Sequence, residues 1–494
     1  MLPAAFGAAP AQSIEQVFNS VRKSPPELYA FLLKMPKGGD LHNHLSGAVY
    51  AETFLQQGAV SHLCIDNRSL AFAAPAAGSC GSGESEAANA ISDNQTASNL
   101  IDSLSMRDFV PGLESAHDHF FNTFGKFGAV SKLNNGEYLA EVITRAASQN
   151  ESYLELMALT AGKEIASLGQ QAGLDADFEV TRRRLLSAGL EQQATALKSA
   201  VDQLEQGRLA ALKCDAEPGS GPCRVTVRYV FQVTRGAPKE QVFAQILAGF
   251  ILASSDPRVV AINLVQPEDS FTSMGDYHLH MRMVDFAKRL YPNVHISLHA
   301  GELTSGLVPP EGLRFHIREA VQIGHAERIG HGVDIMYEDD SRDTLRLMRE
   351  RHIDVEVNLT SNDSILGVKG DDHPFPVYRK YGVPVTLSTD DEGVARTHLT
   401  REYQRAVLTY GLSYGDLKQI VRNSLEYCFL PGQSFWKDSL YRVTAASCAA
   451  GRQSSSCKNF LSSNDKARLQ ADLEDRFTAF ERSARLSRSV QVSR

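Results

Sequence analysis

No apolar run in the 494 residues reaches the roughly 18 needed to cross a bilayer, so no membrane partner is expected. There is no basic stripe either, and the formal net charge of −8 argues against a nucleic-acid partner. No internal repeat is visible. No two cysteines stand at C-x₂₋₄-C spacing, which sets aside a cysteine zinc site. What remains is an ordinary globular composition, 43% hydrophobic and 22% charged, long enough to bury a large core.

Seven cysteines are present, and six fall into local pairs: Cys64 with Cys80, Cys214 with Cys223, and Cys448 with Cys457. KCDAEPGSGPCR and SCAAGRQSSSCK are short polar loops closed by cysteine at both ends, which suits disulfides and an oxidising compartment. Cys428, in the apolar LEYCFL, is expected to be a buried free thiol. The start, MLPAAFGAAPAQS, is small and uncharged. It reads either as the tail of a signal peptide, with Ala9-Pro10-Ala11 as an A-x-A site, or as an unstructured start without the usual basic region. The paired cysteines favour export, to a periplasm or outside the cell.

Residues 12–34 read as two short amphipathic helices split by Pro25-Pro26. Residues 60–103 are rich in Gly, Ser, Ala and Asn, the composition of a surface loop or inserted subdomain. Phe120, Phe121, Phe124 and Phe127 follow at helical spacing; such a stripe is usually packing, with a pocket wall as the alternative. Then short apolar runs alternate with amphipathic helical segments: KGGDLHNHL, SYLELMAL, RVTVRYVFQV, RVVAINLV, HISLHAGE, RIGHGVDI, DVEVNLTSN and PVTLSTDD. Eight apolar strands separated by helices predict an α/β fold, a parallel (β/α)8 TIM barrel. The expected division is an N-terminal arm (1–34), a barrel (35–435) carrying the insertion, and a helical C-terminal tail (436–494).

Metal-competent residues collect at the C-terminal ends of these runs: His42 and His44, His299 and Glu302, His331, and Asp390 with Asp391. In a barrel these ends converge on one rim, where active sites are built. Residues i and i+2 of a strand face the same way, so His42 and His44 can both point at the axis. Singly, an H-x-H pair, a GHG histidine or a TDD turn is weak evidence. Their joint placement on separate strand ends points to a metal site.

The motifs MPKGGDLHNHLSG, HAGE, RIGHG, EVNLTSN, HPFP and VTLSTDD, in this order, resemble the adenosine deaminase family of the amidohydrolase superfamily. The N-terminal helices, the insertion and the cysteines are most similar to its secreted, growth-factor-like branch. The resemblance implies one Zn²⁺ held by His42, His44, His299 and Asp390, with a position left for water. It implies that His331 orients and deprotonates that water, that Glu302 protonates purine N1, and that Asp391, carrying a proton, meets N7. Attack at C6 then releases ammonia and leaves a 6-oxopurine. The H-x-E and P-C-x-x-C signature of cytidine-type deaminases is missing.

Two positions depart from the family. Ser46 stands where many members carry an acid that contacts ribose, and Gln266 stands where a glycine N–H usually reaches N3. The expected substrate is a small-molecule purine nucleoside, adenosine or 2′-deoxyadenosine, with adenine or a modified aminopurine as the alternative. A growth-factor-like binding protein with an incidental site is the competing class, and the presence of all seven site residues weighs against it. The branch also implies a homodimer through the N-terminal helices. Mass spectrometry of the unreduced protein is expected to show three disulfides and one free thiol; six free thiols would remove the case for export.

Overall fold

The computed structural model describes residues 12–492 apart from 76, 77 and 113; Ala9-Pro10-Ala11 lies outside them. Eight parallel strands follow one another in chain order around a barrel. They are β1 (Gly38–His44), β2 (Glu151–Thr160), β3 (Thr226–Thr234), β4 (Val259–Val265), β5 (His295–Ala300), β6 (Arg328–His331), β7 (Asp354–Val357) and β8 (Val385–Leu387). β1 and β4 are buried along their whole length, as strands covered on both faces must be. β8 is short, and the ring closes beyond its end. Asp390 N–H donates to His42 C=O at 2.8 Å, and His44 N–H donates to Asp390 C=O at 3.0 Å.

All eight expected runs are strands, but the later ones stop sooner than their apolar patterns suggest. DVEVNLTSN ends as a strand at Val357, and a helix begins at Leu359. Asn358, Ser361 and Asn362 are side chains that compete for backbone hydrogen bonds and turn the chain.

The barrel interior carries a buried charged network. Arg328 donates to Glu155 at 2.6 Å and to Glu356 at 2.5 Å, and its guanidinium lies 3.8 Å from the centre of the Phe429 ring. Both carboxylates are fully buried and are satisfied further by Tyr153, Phe429 N–H and Ser297. A buried charge is tolerated only when paired and hydrogen-bonded in this way.

The two N-terminal helices, α1 (Ile14–Val21) and α2 (Pro25–Lys34), form as expected, with Pro25 and Pro26 in the first turn of α2, where no N–H is needed. Phe31 of α2 packs edge-on against Phe480 of the long C-terminal helix Asp465–Val492. The 60–103 segment is a small subdomain. A three-stranded antiparallel sheet (Cys64–Asp66, Phe72–Ala73, Glu84–Glu86) is followed by helices Ala87–Ser92 and Asn94–Ser103. The three expected cysteine pairs are bonded, and Cys428 is free and buried. No described helix is long and apolar enough to cross a membrane.

Lys37, fully buried, fastens the arm to the barrel. Its ammonium donates to the carbonyls of Leu32, Met35 and Gln149 at 2.7, 3.1 and 2.6 Å. Replacing it by Met leaves the buried carbonyls of Met35 and Gln149 without partners, each worth about 1–3 kcal/mol, while Leu32 C=O keeps the Met35 N–H. Lys37→Met is expected to lower unfolding free energy by about 3 kcal/mol or more in urea titration.

Candidate metal and catalytic site

At the C-terminal rim of the barrel the residues expected from sequence come together. His42 Nε2 and His44 Nε2 lie 3.1 and 3.2 Å from His299 Nε2, and each lies 3.4 Å from Asp390 Oδ1. One ligand atom from each of the four residues falls within 4.8 Å of the others. The alternation of β1 places both of its histidines here. Gly330 on β6 leaves room for the His42 ring, since a Cβ there would lie 2.6 Å from Cε1.

The far side of each imidazole decides what the near side offers. His42 Nδ1 faces Glu356 Oε2 at 2.6 Å, His299 Nδ1 faces Asn263 Oδ1 at 2.9 Å, and His44 Nδ1 faces Gln232 Oε1 at 3.2 Å. All three partners are oxygen acceptors, so each Nδ1 carries the proton and each Nε2 presents a lone pair. Three lone pairs and a carboxylate meeting at one buried point repel one another unless a cation sits between them. The set of three imidazoles and one carboxylate fits a zinc-like divalent ion.

Asp390 has φ +58°, His331 φ +70° and Gln266 φ +88°, all in the left-handed region that non-glycine residues seldom adopt. Each follows or ends a barrel strand. Such backbone strain gathers at sites where geometry is held by its surroundings. Asp390 is held by Ser361 Oγ, which donates to Oδ2 at 2.6 Å, and by the two hydrogen bonds that close the barrel.

Around this group lies a cavity of about 340 Å³. Glu302, His331, Asp390 and Asp391 form its polar end, with Ser46, Gln232 and Gln266 on the walls. Phe120, Phe121 and Phe124 of α3 (Ala116–Phe127) supply the apolar side, together with Val265, Pro267 and Ile365. Three of the four phenylalanines thus line the pocket, while Phe127 stacks on Phe54 in the core. Among the described residues no lysine or arginine lines this cavity.

Two carboxyls facing the cavity are pushed towards the protonated form. Burial, then the charges of Asp390 and Glu268, push Glu302 well above the usual carboxylate range. Burial and the adjacent Asp390 do the same to Asp391, whose Oδ1 has no protein partner. Burial pushes His331 down to about 3, so its ring is neutral.

Two supporting residues are absent from the expectations. Glu356 ties His42 to Arg328, and Ser297 donates to it as well. Its signal was a carboxylate in the middle of a buried strand run, DVEV. Glu268 accepts the backbone N–H groups of Gly301 and Glu302 at 3.0 and 2.9 Å and pairs with His316. It therefore fixes the turn that carries Glu302. Gln266, for its part, uses its side-chain carbonyl to accept from Gly236 N–H at 2.8 Å.

Residues 186–438 match the family model described as adenosine deaminase, just over half of the chain. The chain belongs to the adenosine deaminase family. An adenosine deaminase of Shewanella halifaxensis is 29% identical over 218 residues, which is 44% of this chain and 60% of that protein. The curated relatives are matched over only part of their length, as little as 37% for one from Clostridium perfringens. Among solved structures, the N6-methyl-AMP deaminase of Arabidopsis thaliana superposes with a TM-score of 0.52 at 19% identity, covering 82% of this chain and 94% of its own. A Burkholderia ambifaria amidohydrolase with bound Zn gives 0.51 at 17% identity, covering 90% and 94%. At these identities the two structures support the barrel fold of the family member.

Glu356→Gln keeps the shape but loses the charge that fixes the His42 tautomer. It is expected to weaken divalent-metal affinity 10- to 100-fold, measured by chelator competition.

Proposed function

We propose that this chain is a zinc-dependent hydrolase that deaminates unphosphorylated purine nucleosides, adenosine and 2′-deoxyadenosine first, giving the inosine product and ammonia. The observation that carries the reading is the convergence of three imidazoles and Asp390 beside two further buried carboxyls, Glu302 and Asp391, in one cavity. Family membership and a relative solved with bound Zn support it.

His42, His44, His299 and Asp390 would hold the ion, which when bound acts as a Lewis acid and lowers the pKa of water. Glu302, kept protonated by burial, gives its proton to purine N1 and makes C6 electrophilic. Asp391 donates from its unpartnered carboxyl to N7 and fixes the ring. His331, 3.9 Å from Asp390 Oδ2, orients the attacking water and stabilises the charge that develops. A C6–O bond forms, the C6–N bond breaks, and the amine takes up a proton and leaves as ammonia. The apolar side walls exclude bulk water from these steps.

The choice of nucleoside over nucleotide rests on charge. Phe121 and Pro267 also line a neighbouring hollow, whose other walls include Glu114, Asp118 and Asp269. His117 lies between two of these carboxylates, at 3.0 Å from Asp118 and 3.1 Å from Asp269, and both its nitrogens are occupied. A 5′-phosphate, carrying close to two negative charges, would meet three carboxylates and no arginine or lysine among the described lining residues. Ser46, at the place of an acid, leaves a hydroxyl for the sugar. Adenine, which makes no use of the sugar side, is the second reading. The three disulfides support an exported protein of the secreted branch.

An ultraviolet assay of the zinc-loaded protein is expected to turn over adenosine with kcat/KM at least ~100-fold above that for AMP, the size of a like-charge penalty of a few kcal/mol. Glu302→Gln is expected to keep its zinc and lose kcat by ~100-fold or more. No turnover of adenosine, deoxyadenosine or adenine by the zinc-loaded chain would defeat the proposal.

A further inference from the structure

The HPFP and EVNLTSN motifs contribute no metal ligand, no carboxyl donor and no direct wall to the purine end of the cavity. Their side chains nevertheless form a hydrogen-bonded line that ends on His331. It begins at a donor whose identity is fixed, the backbone N–H of Phe375, which reaches His373 Nδ1 at 3.1 Å. His373 Nδ1 is therefore an acceptor, and the neutral, buried ring carries its proton on Nε2. That Nε2–H lies 3.0 Å from Asn362 Oδ1 and donates to it. With its carbonyl so committed, Asn362 turns its amide towards His331, and Nδ2 donates to His331 Nδ1 at 2.9 Å. A second donor, the Asn358 amide, lies 3.5 Å from the same nitrogen.

We infer that His373 and Asn362 are positioning residues which hold His331 in its Nε2–H tautomer, so that His331 faces the reacting water as a hydrogen-bond donor and not as its base. A proton on Nδ1 would point at the Asn362 amide hydrogens, so the same line excludes both the other tautomer and the imidazolium. His331 Nε2 is buried and has no protein partner, which leaves its N–H free for a molecule in the cavity. The proton that water gives up then goes to a carboxylate. Glu302, vacant once it has protonated N1, stands with His331 and Asp390 in one group of atoms within 4.8 Å. From there it passes to the departing amine, and the remaining proton of the C6 hydroxyl returns to Glu302, which leaves the 6-oxo group and closes the proton count. The catalytic part rests on the deaminase reading; the tautomer does not.

The tautomer is read without turnover from long-range ¹H–¹⁵N correlation spectra of the zinc-loaded, ¹⁵N-histidine-labelled protein, with His331 assigned by the signals lost in His331→Gln. The expected spectrum at neutral pH shows a protonated Nε2 and an unprotonated Nδ1. A proton on Nδ1, alone or together with Nε2, would overturn the inference, whatever the enzyme turns over. Asn362→Asp replaces the donor by an acceptor and is expected to move the proton to Nδ1, lowering kcat by ~tenfold or more with KM little changed. His373→Gln, which keeps a donor for Asn362 Oδ1, is expected to retain more of kcat than His373→Ala. Wild-type kcat in Asn362→Asp with the tautomer switched would equally count against the donor role.

Discussion

Two backbone hydrogen bonds at Asp390, one to His42 and one from His44, join the last strand of the barrel to the first. β8 spans only Val385–Leu387, and beyond it Thr389 donates to Asp40 and accepts from Asn43 across the same seam. Three of the four candidate ligands depend on this closure, because Asp390, His42 and His44 are the residues that make it. The left-handed backbone of Asp390 turns its side chain back towards the axis while its N–H and C=O reach across the gap. Barrel closure and ligand geometry are thus one arrangement.

Below the seam, the axis of the barrel is polar where a barrel of this kind is usually filled with branched apolar side chains. Arg328, Glu155 and Glu356 are buried together, and the stack of Arg328 on Phe429 continues to His295, whose ring is parallel to Phe429 at 4.5 Å. The arrangement costs desolvation and confers direction: Glu356 presents one oxygen to Arg328 and the other to His42. Above the seam, Glu268 plays the matching part for the turn of Glu302. The reacting groups are held from both sides by carboxylates that do not themselves face the cavity.

Much of this was legible in the sequence, because a strand end and a barrel rim are both local consequences of pattern. The eight apolar runs, the placement of His42, His44, His299, Glu302, His331, Asp390 and Asp391, and the three cysteine clips all follow from spacing and from the family motifs. The supporting residues were not legible in the same way. Glu356 and Glu268 are recognisable only through what they touch, from segments 28 to 314 residues away in the chain. The strand ends were over-read where Asn and Ser side chains turn the backbone, as after Val357. The Phe stripe was ambiguous because pocket wall and core share the same helical period, and the structure uses it for both.

The left-handed backbone at Gln266 has a mechanical side. Its carbonyl accepts from Arg235 and its side chain accepts from Gly236, so the loops after β3 and β4 are braced against each other. The same loop after β4 also reaches α3, through Asp269 at 3.1 Å from His117 Nε2. The wall that Gln266 gives the cavity is therefore fixed through its backbone and its side chain together.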